Sequence, residues 1–121
     1  MIESNMSKFV RIADAAAIPE GQVRSFEVQG HLVAVANVRG EYYAFLAACP
    51  HRAGPLRHGR LWGYEIDCPH HHYMYDVRTG ENTFPRRVFP PDLAATLKPL
   101  QTFRAQVREG AVAIELPDEN G

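Results

Sequence analysis

Two short motifs constrain this chain more than anything else in it: Cys49-Pro50-His51 and Cys68-Pro69-His70-His71, with sixteen residues between His51 and Cys68. Each motif offers one thiolate and at least one imidazole, so a single centre using both must draw two separate stretches of chain face to face. Soft and borderline donors of this kind suit zinc or an iron-sulfur centre. Structural zinc sites usually group like ligands, two cysteines close together and then two histidines. Here each motif is mixed.

The sequence on either side predicts an antiparallel β framework. A short strand over Phe9 to Ile12 precedes one helical turn at Asp14 to Ala17 and the Pro19-Glu20-Gly21 break. Alternation from Phe26 and Val28, then Leu32 to Val38, then Tyr42 to Leu46, predicts three strands turning at Gln29-Gly30 and Arg39-Gly40. Phe103 to Val107, the turn Arg108-Glu109-Gly110 and Val112 to Leu116 predict a further hairpin. From about Ala47 to Asn82 the pattern breaks into a turn-rich segment that holds five of the six histidines: His51, His58, His70, His71 and His72. Functional groups often sit on such loops over a rigid sheet. Beyond Gly80, residues Asn82 to Pro91 are too proline-rich for a central strand. Asp92 is the expected N-cap of a short helix over Leu93 to Leu97.

Composition narrows the function classes. The 121 residues fit one domain, 1–121, and 45% hydrophobic with 22% charged residues is ordinary for a globular chain. A net charge of -1 lacks the basic excess of a nucleic-acid binder. No run approaches the ~20 apolar residues needed to span a bilayer, and the polar start is unlike a secretion signal. A cytoplasmic location is expected, where Cys49 and Cys68 serve a metal or a catalytic role rather than a disulfide.

The interleaved Cys-x-His and Cys-x2-His order is that of a Rieske centre, in which two cysteines bind one iron and two histidines the other. The chain resembles the Rieske ferredoxins of ring-hydroxylating oxygenase systems. The resemblance runs from Cys49-Pro50-His51-Arg52-Ala53-Gly54-Pro55-Leu56 through Gly59-Arg60-Leu61-Trp62-Gly63 to Cys68-Pro69-His70-His71 and Tyr75-Asp76-Val77-Arg78-Thr79-Gly80. It implies an all-β antiparallel sandwich with a small two-loop cluster-binding subdomain, holding one [2Fe-2S] cluster. Cys49 and Cys68 would bind the buried iron, and His51 and His71 the outer one. Neutral imidazoles in place of thiolates raise the potential, to about -150 to +300 mV across such centres. High-potential members carry a disulfide at positions matching Gly54 and His70, which places this chain on the lower-potential branch. Around the cluster, Tyr75 matches a tyrosine that can donate a hydrogen bond to cluster sulfur. Tyr73 matches the position of a second hydroxyl.

By the same resemblance the protein is an electron carrier rather than an enzyme, taking electrons from a flavin-dependent reductase and delivering them to a terminal oxygenase. His72 departs from the family, which usually has glycine there, and the connection from Glu81 to Lys98 is longer than usual. Residues 49 to 87 carry six basic and four acidic residues, +2, against -3 for the rest, so the cluster end is expected to dock on an acidic partner surface. His70, His72 and His58 are expected near the surface, His31 in a strand without a role, and Trp62 and Tyr64 packed beneath the cluster loops. Two other readings use the same residues: the small subunit of a larger reductase such as an assimilatory nitrite reductase, and a zinc-bound interaction module.

Overall fold

The computed structural model describes residues 8–47, 59–69 and 72–116. Strand β1 (Lys8–Asp14) lies against β11 (Ala111–Leu116), which pairs in turn with β10 (Ala105–Arg108). A second sheet has the order β2 (Val23–Val28), β3 (His31–Val38), β4 (Glu41–Leu46) and β9 (Thr102–Phe103). A third has β5 (Arg60–Trp62), β6 (Glu65–Asp67), β7 (Met74–Asp76) and β8 (Asn82–Phe84) in sequence order. All pairings are antiparallel.

Strand β3 explains how the sheets stack. It is buried without a break from Val33 to Val38, the signature of a strand covered on both faces. Val33 and Val35 join Ile18, Val112 and Ile114 in one core, toward the first sheet. Ala34, Ala36 and Val38 turn the other way and join Phe45, Ile66, Tyr75, Val77 and Leu100. The second sheet is therefore the middle layer. Small alanines alternate with valines along β3, which leaves room on the third-sheet side for the rings of Phe45 and Tyr75.

Three of the hairpin turns share one geometry. Gln29-Gly30, Arg39-Gly40 and Glu109-Gly110 all have positive φ at both residues, as two-residue type I′ turns require. The last is one residue tighter than expected, because Arg108 stays in β10 and pairs with Ala111. Asn37 anchors the middle sheet: its Nδ2 donates to the Ile18 carbonyl at 2.8 Å and its Oδ1 accepts from the Gly40 amide at 2.9 Å.

Two expectations are corrected. Pro91 occupies the first helical position, so α1 spans Pro91–Ala94 with Pro90 as its N-cap, and Asp92 falls inside the first turn, where its charge favours the helix dipole without capping it. The turn-rich segment, expected to carry loops, contains β5, β6 and β7, whereas the proline-rich stretch beyond it supplies no central strand, as expected, its β8 lying at the sheet edge. Among the described residues no helix is long and apolar enough to cross a membrane.

Candidate metal centre

The third sheet is built from strands of three residues, so each has one or two side chains to commit to a core. Cross-strand register lines up Leu61, Ile66, Tyr75 and Asn82 on the inner face. The outer face carries Arg60, Trp62, Glu65, Asp67, Met74, Asp76 and Phe84. Alternation about Leu61 turns Trp62 outward, where it is 56% exposed with the Arg60 guanidinium 5.4 Å from its ring. The expectation that Trp62 packs beneath the loops is thus corrected. Tyr64 does pack against the inner core, beside Tyr43.

Cys68 follows β6 directly and is fully buried, in the same core as Ile66, Tyr75 and Val77. It forms no disulfide. Its amide donates to the Tyr73 carbonyl at 2.8 Å, and its carbonyl accepts from the His72 amide at 2.8 Å, so the chain folds back on itself at this residue. The expected neighbours arrive with it. Tyr75, only 1% exposed, shares its core, and Tyr73 packs half-buried against that core. A thiol at the mouth of a chain reversal, with phenol-bearing side chains around it, fits one corner of an iron-sulfur site.

The remaining expected donors, Cys49, His51 and His71, lie outside the described residues, as do Gly54, His70 and His58. Among the described residues no group of three or more His, Cys, Asp or Glu side chains could hold a metal ion.

His72 has φ +60. The left-handed region costs an ordinary side chain roughly 1–2 kcal/mol, which is why glycine suits such a position. Its ring Nδ1 lies 3.1 Å from Asp67 Oδ1. Sequence reasoning identified the odd residue but not its partner; the signal was an acid immediately before Cys68.

Each carboxylate of the third sheet and its β7–β8 turn has an arginine or histidine neighbour. Arg87 reaches Glu65 at 3.6 Å, Arg78 holds Asp76 at 2.7 Å, His72 faces Asp67 and Arg86 lies 3.9 Å from Glu81. The Arg78 hydrogen bonds hold the Asp76 carboxyl below its ordinary range. Arg78 also stacks 3.9 Å from the Tyr64 ring centre. Four basic and four acidic residues balance in the described part, so the +2 of residues 49 to 87 comes from Arg52 and Arg57. A cleft of about 360 Å³ between Tyr42, Tyr43, Arg78, Phe103 and Arg104 has both arginines already paired, Arg78 with Asp76 and Arg104 with Glu115.

Comparison with known proteins agrees with this layout. The Rieske [2Fe-2S] domain family matches residues 8–90. The chain is 44% identical over 64 residues to the ferredoxin component of the naphthalene 1,2-dioxygenase/salicylate 5-hydroxylase systems of a Ralstonia species, covering 53% of this chain and 62% of that protein. It spans about three fifths of the length of such curated relatives. Among solved structures it is similar to the ferredoxin of carbazole 1,9a-dioxygenase from Nocardioides aromaticivorans IC177. That likeness has a TM-score of 0.76 and 27% identity, and covers 93% of this chain and 100% of the other. A complex of reduced oxygenase and oxidized ferredoxin in carbazole 1,9a-dioxygenase contains a chain 28% identical, with a TM-score of 0.75, covering 88% of this chain and 92% of that one.

Proposed function

Because the chain belongs to the Rieske [2Fe-2S] domain family, we propose that it is a one-electron carrier, the ferredoxin component of an oxygenase system. It takes electrons from a flavin-dependent reductase, passes them to a terminal oxygenase, and works in the cytoplasm as one domain, residues 1–121. The observation that carries this reading is the burial of Cys68 against Tyr75 at a chain reversal, inside the stretch that matches the family.

Cys49 and Cys68 would hold one iron as thiolates, and His51 and His71 would hold the other as neutral imidazoles. When bound, the cluster supplies reversible one-electron chemistry, at a potential that its two neutral ligands raise. The core around Cys68 excludes water from the cysteine side. Tyr75 and Tyr73 would offer hydroxyls to the cluster, and Gly54 and His70 leave no cysteine pair for a disulfide at the positions where high-potential members carry one. Arg52 and Arg57 give the cluster end its positive excess, which favours an acidic docking surface on the oxygenase. A ferredoxin component seen in complex with its oxygenase supports that choice of partner.

The test is spectroscopic. The anaerobically reduced protein should contain about two irons and two acid-labile sulfides per chain and show an average EPR g value below that of all-cysteine [2Fe-2S] proteins. A colourless, sulfide-free protein with stoichiometric zinc would overturn the proposal.

A further inference from the structure

We propose that Asp67 is a positioning residue for the cluster: its hydrogen bond to His72 holds a left-handed backbone that a non-glycine residue would otherwise leave. This rests on the reading that Cys68 and His71 are ligands.

The residue pair brackets one ligand motif. Asp67 immediately precedes Cys68, and His72 immediately follows His71. Between them the backbone is closed by the bonds from Cys68 N to Tyr73 O and from His72 N to Cys68 O, both 2.8 Å. Those bonds require His72 to stay at φ +60, where its own Cβ opposes it. Glycine would adopt this conformation freely. Histidine needs compensation, and the side chain that causes the strain also supplies it: a carboxylate only accepts, so the His72 ring donates through Nδ1 to Asp67 Oδ1 at 3.1 Å.

Asp67 is well placed to hold the ring. Its side chain is 17% exposed against 71% for His72, so the buried end of the pair is the fixed one. It belongs to β6, between Arg60 on β5 and Met74 on β7. The clamp therefore ties the exit of His71 to the sheet that carries Cys68. Because a misplaced imidazole alters the cluster itself, the consequence should be visible in cluster retention and in the EPR signal rather than in the β fold.

The experiment is a double-mutant cycle on the reconstituted full-length protein, with wild type, Asp67→Ala, His72→Gly and the double variant. It reads the rate of loss of visible absorbance in anaerobic chelator, the EPR line width and the far-UV circular dichroism. Asp67→Ala should lose its cluster at least about fivefold faster than wild type and broaden the EPR signal with the dichroism unchanged, the size expected of a direct coupling. His72→Gly needs no clamp, so it should stay within about twofold of wild type, and adding Asp67→Ala to it should change nothing more. Asp67→Asn keeps an acceptor oxygen and should rescue the Asp67→Ala defect. Equal acceleration by Asp67→Ala in both backgrounds would overturn the clamp and leave Asp67 as a plain sheet residue opposite Arg60. No acceleration in either would overturn it too. If Asp67→Ala fails to fold, His72→Ala carries the test: it keeps the left-handed strain without the ring, so it should lose its cluster at least about fivefold faster than wild type, and a rate equal to wild type overturns the clamp. A wild-type chain without acid-labile sulfide would instead overturn the cluster reading beneath it.

Discussion

The middle and third sheets pack against the same core yet hold their shape by different means. In the middle sheet β2, β3 and β4 run six to eight residues and are joined by two-residue turns, so register follows from local alternation and turn geometry. In the third sheet every strand has three residues. Three residues cannot set a register alone. The Val77 amide on the Tyr64 carbonyl adds one rung to its own β6–β7 ladder, and the brace from outside is at Gly80, whose carbonyl accepts from the Leu100 amide at 2.7 Å. The sheet bearing the site is thus the one that depends most on distant contacts.

Two glycines with the same backbone angle can break this comparison. Gly40 in the middle sheet has φ +86 and open space where a Cβ would stand, while Gly80 has φ +85 and would drive a Cβ into the Leu100 carbonyl oxygen. Gly40→Ala should cost about 1 kcal/mol for its backbone strain alone. Gly80→Ala should cost about 3 kcal/mol or more, because the brace must also move. Urea unfolding of both variants decides it. Equal losses would mean that the Leu100 brace carries no weight.

A second pair sharpens the contrast through buried amides. Asn37 uses both ends of its side chain, on Ile18 and Gly40. Asn82, on the inner face of the third sheet, accepts from the Arg86 amide at 3.1 Å, while its Nδ2 is buried with no partner among the described residues. Asn37→Leu strands the Ile18 carbonyl and the Gly40 amide and should cost about 2–3 kcal/mol. Asn82→Leu gives up one bond and relieves one orphaned donor, so its cost should stay below about 1 kcal/mol. The reverse order, again read by urea unfolding, would show that Asn82 has a role its contacts do not explain.

This difference also explains what could be read from the sequence. Gln29-Gly30 and Arg39-Gly40, flanked by alternating apolar residues, specified the middle sheet, because a type I′ turn is a local property. The third sheet was hidden: Arg60-Leu61-Trp62 and Glu65-Ile66-Asp67 each offer one inward residue, too few to show a period. Trp62 was misjudged for the same reason, its size suggesting burial when Leu61 had already taken the inner face. At the site, the spacing of Cys49, His51, Cys68 and His71 pointed to a cluster, and the histidine at 72 stood out as a departure. Its link to Asp67 is a sheet-to-turn contact, which neither motif nor composition encodes.

The smallest expected effect lies where the two sheets meet. Tyr43 on β4 donates its hydroxyl to Glu41 at 2.7 Å, and its ring meets Tyr64 of the third sheet edge-on at 6.0 Å. The bond to Glu41, aided by burial, pushes the Tyr43 phenol up to about 12 from an ordinary 10.0. The folded state therefore favours the protonated phenol. The resulting stability is fully present below pH 10, and is lost as pH rises from about 10 to about 12. Tyr43→Phe removes the titrating group and leaves the ring contact. Comparing the two proteins at each pH reads the effect of this one hydroxyl on the unfolding free energy. Wild type should exceed Tyr43→Phe at pH 9, and the excess should vanish toward pH 12. A gap that does not change with pH would mean that the hydroxyl contributes to stability without its bond to Glu41.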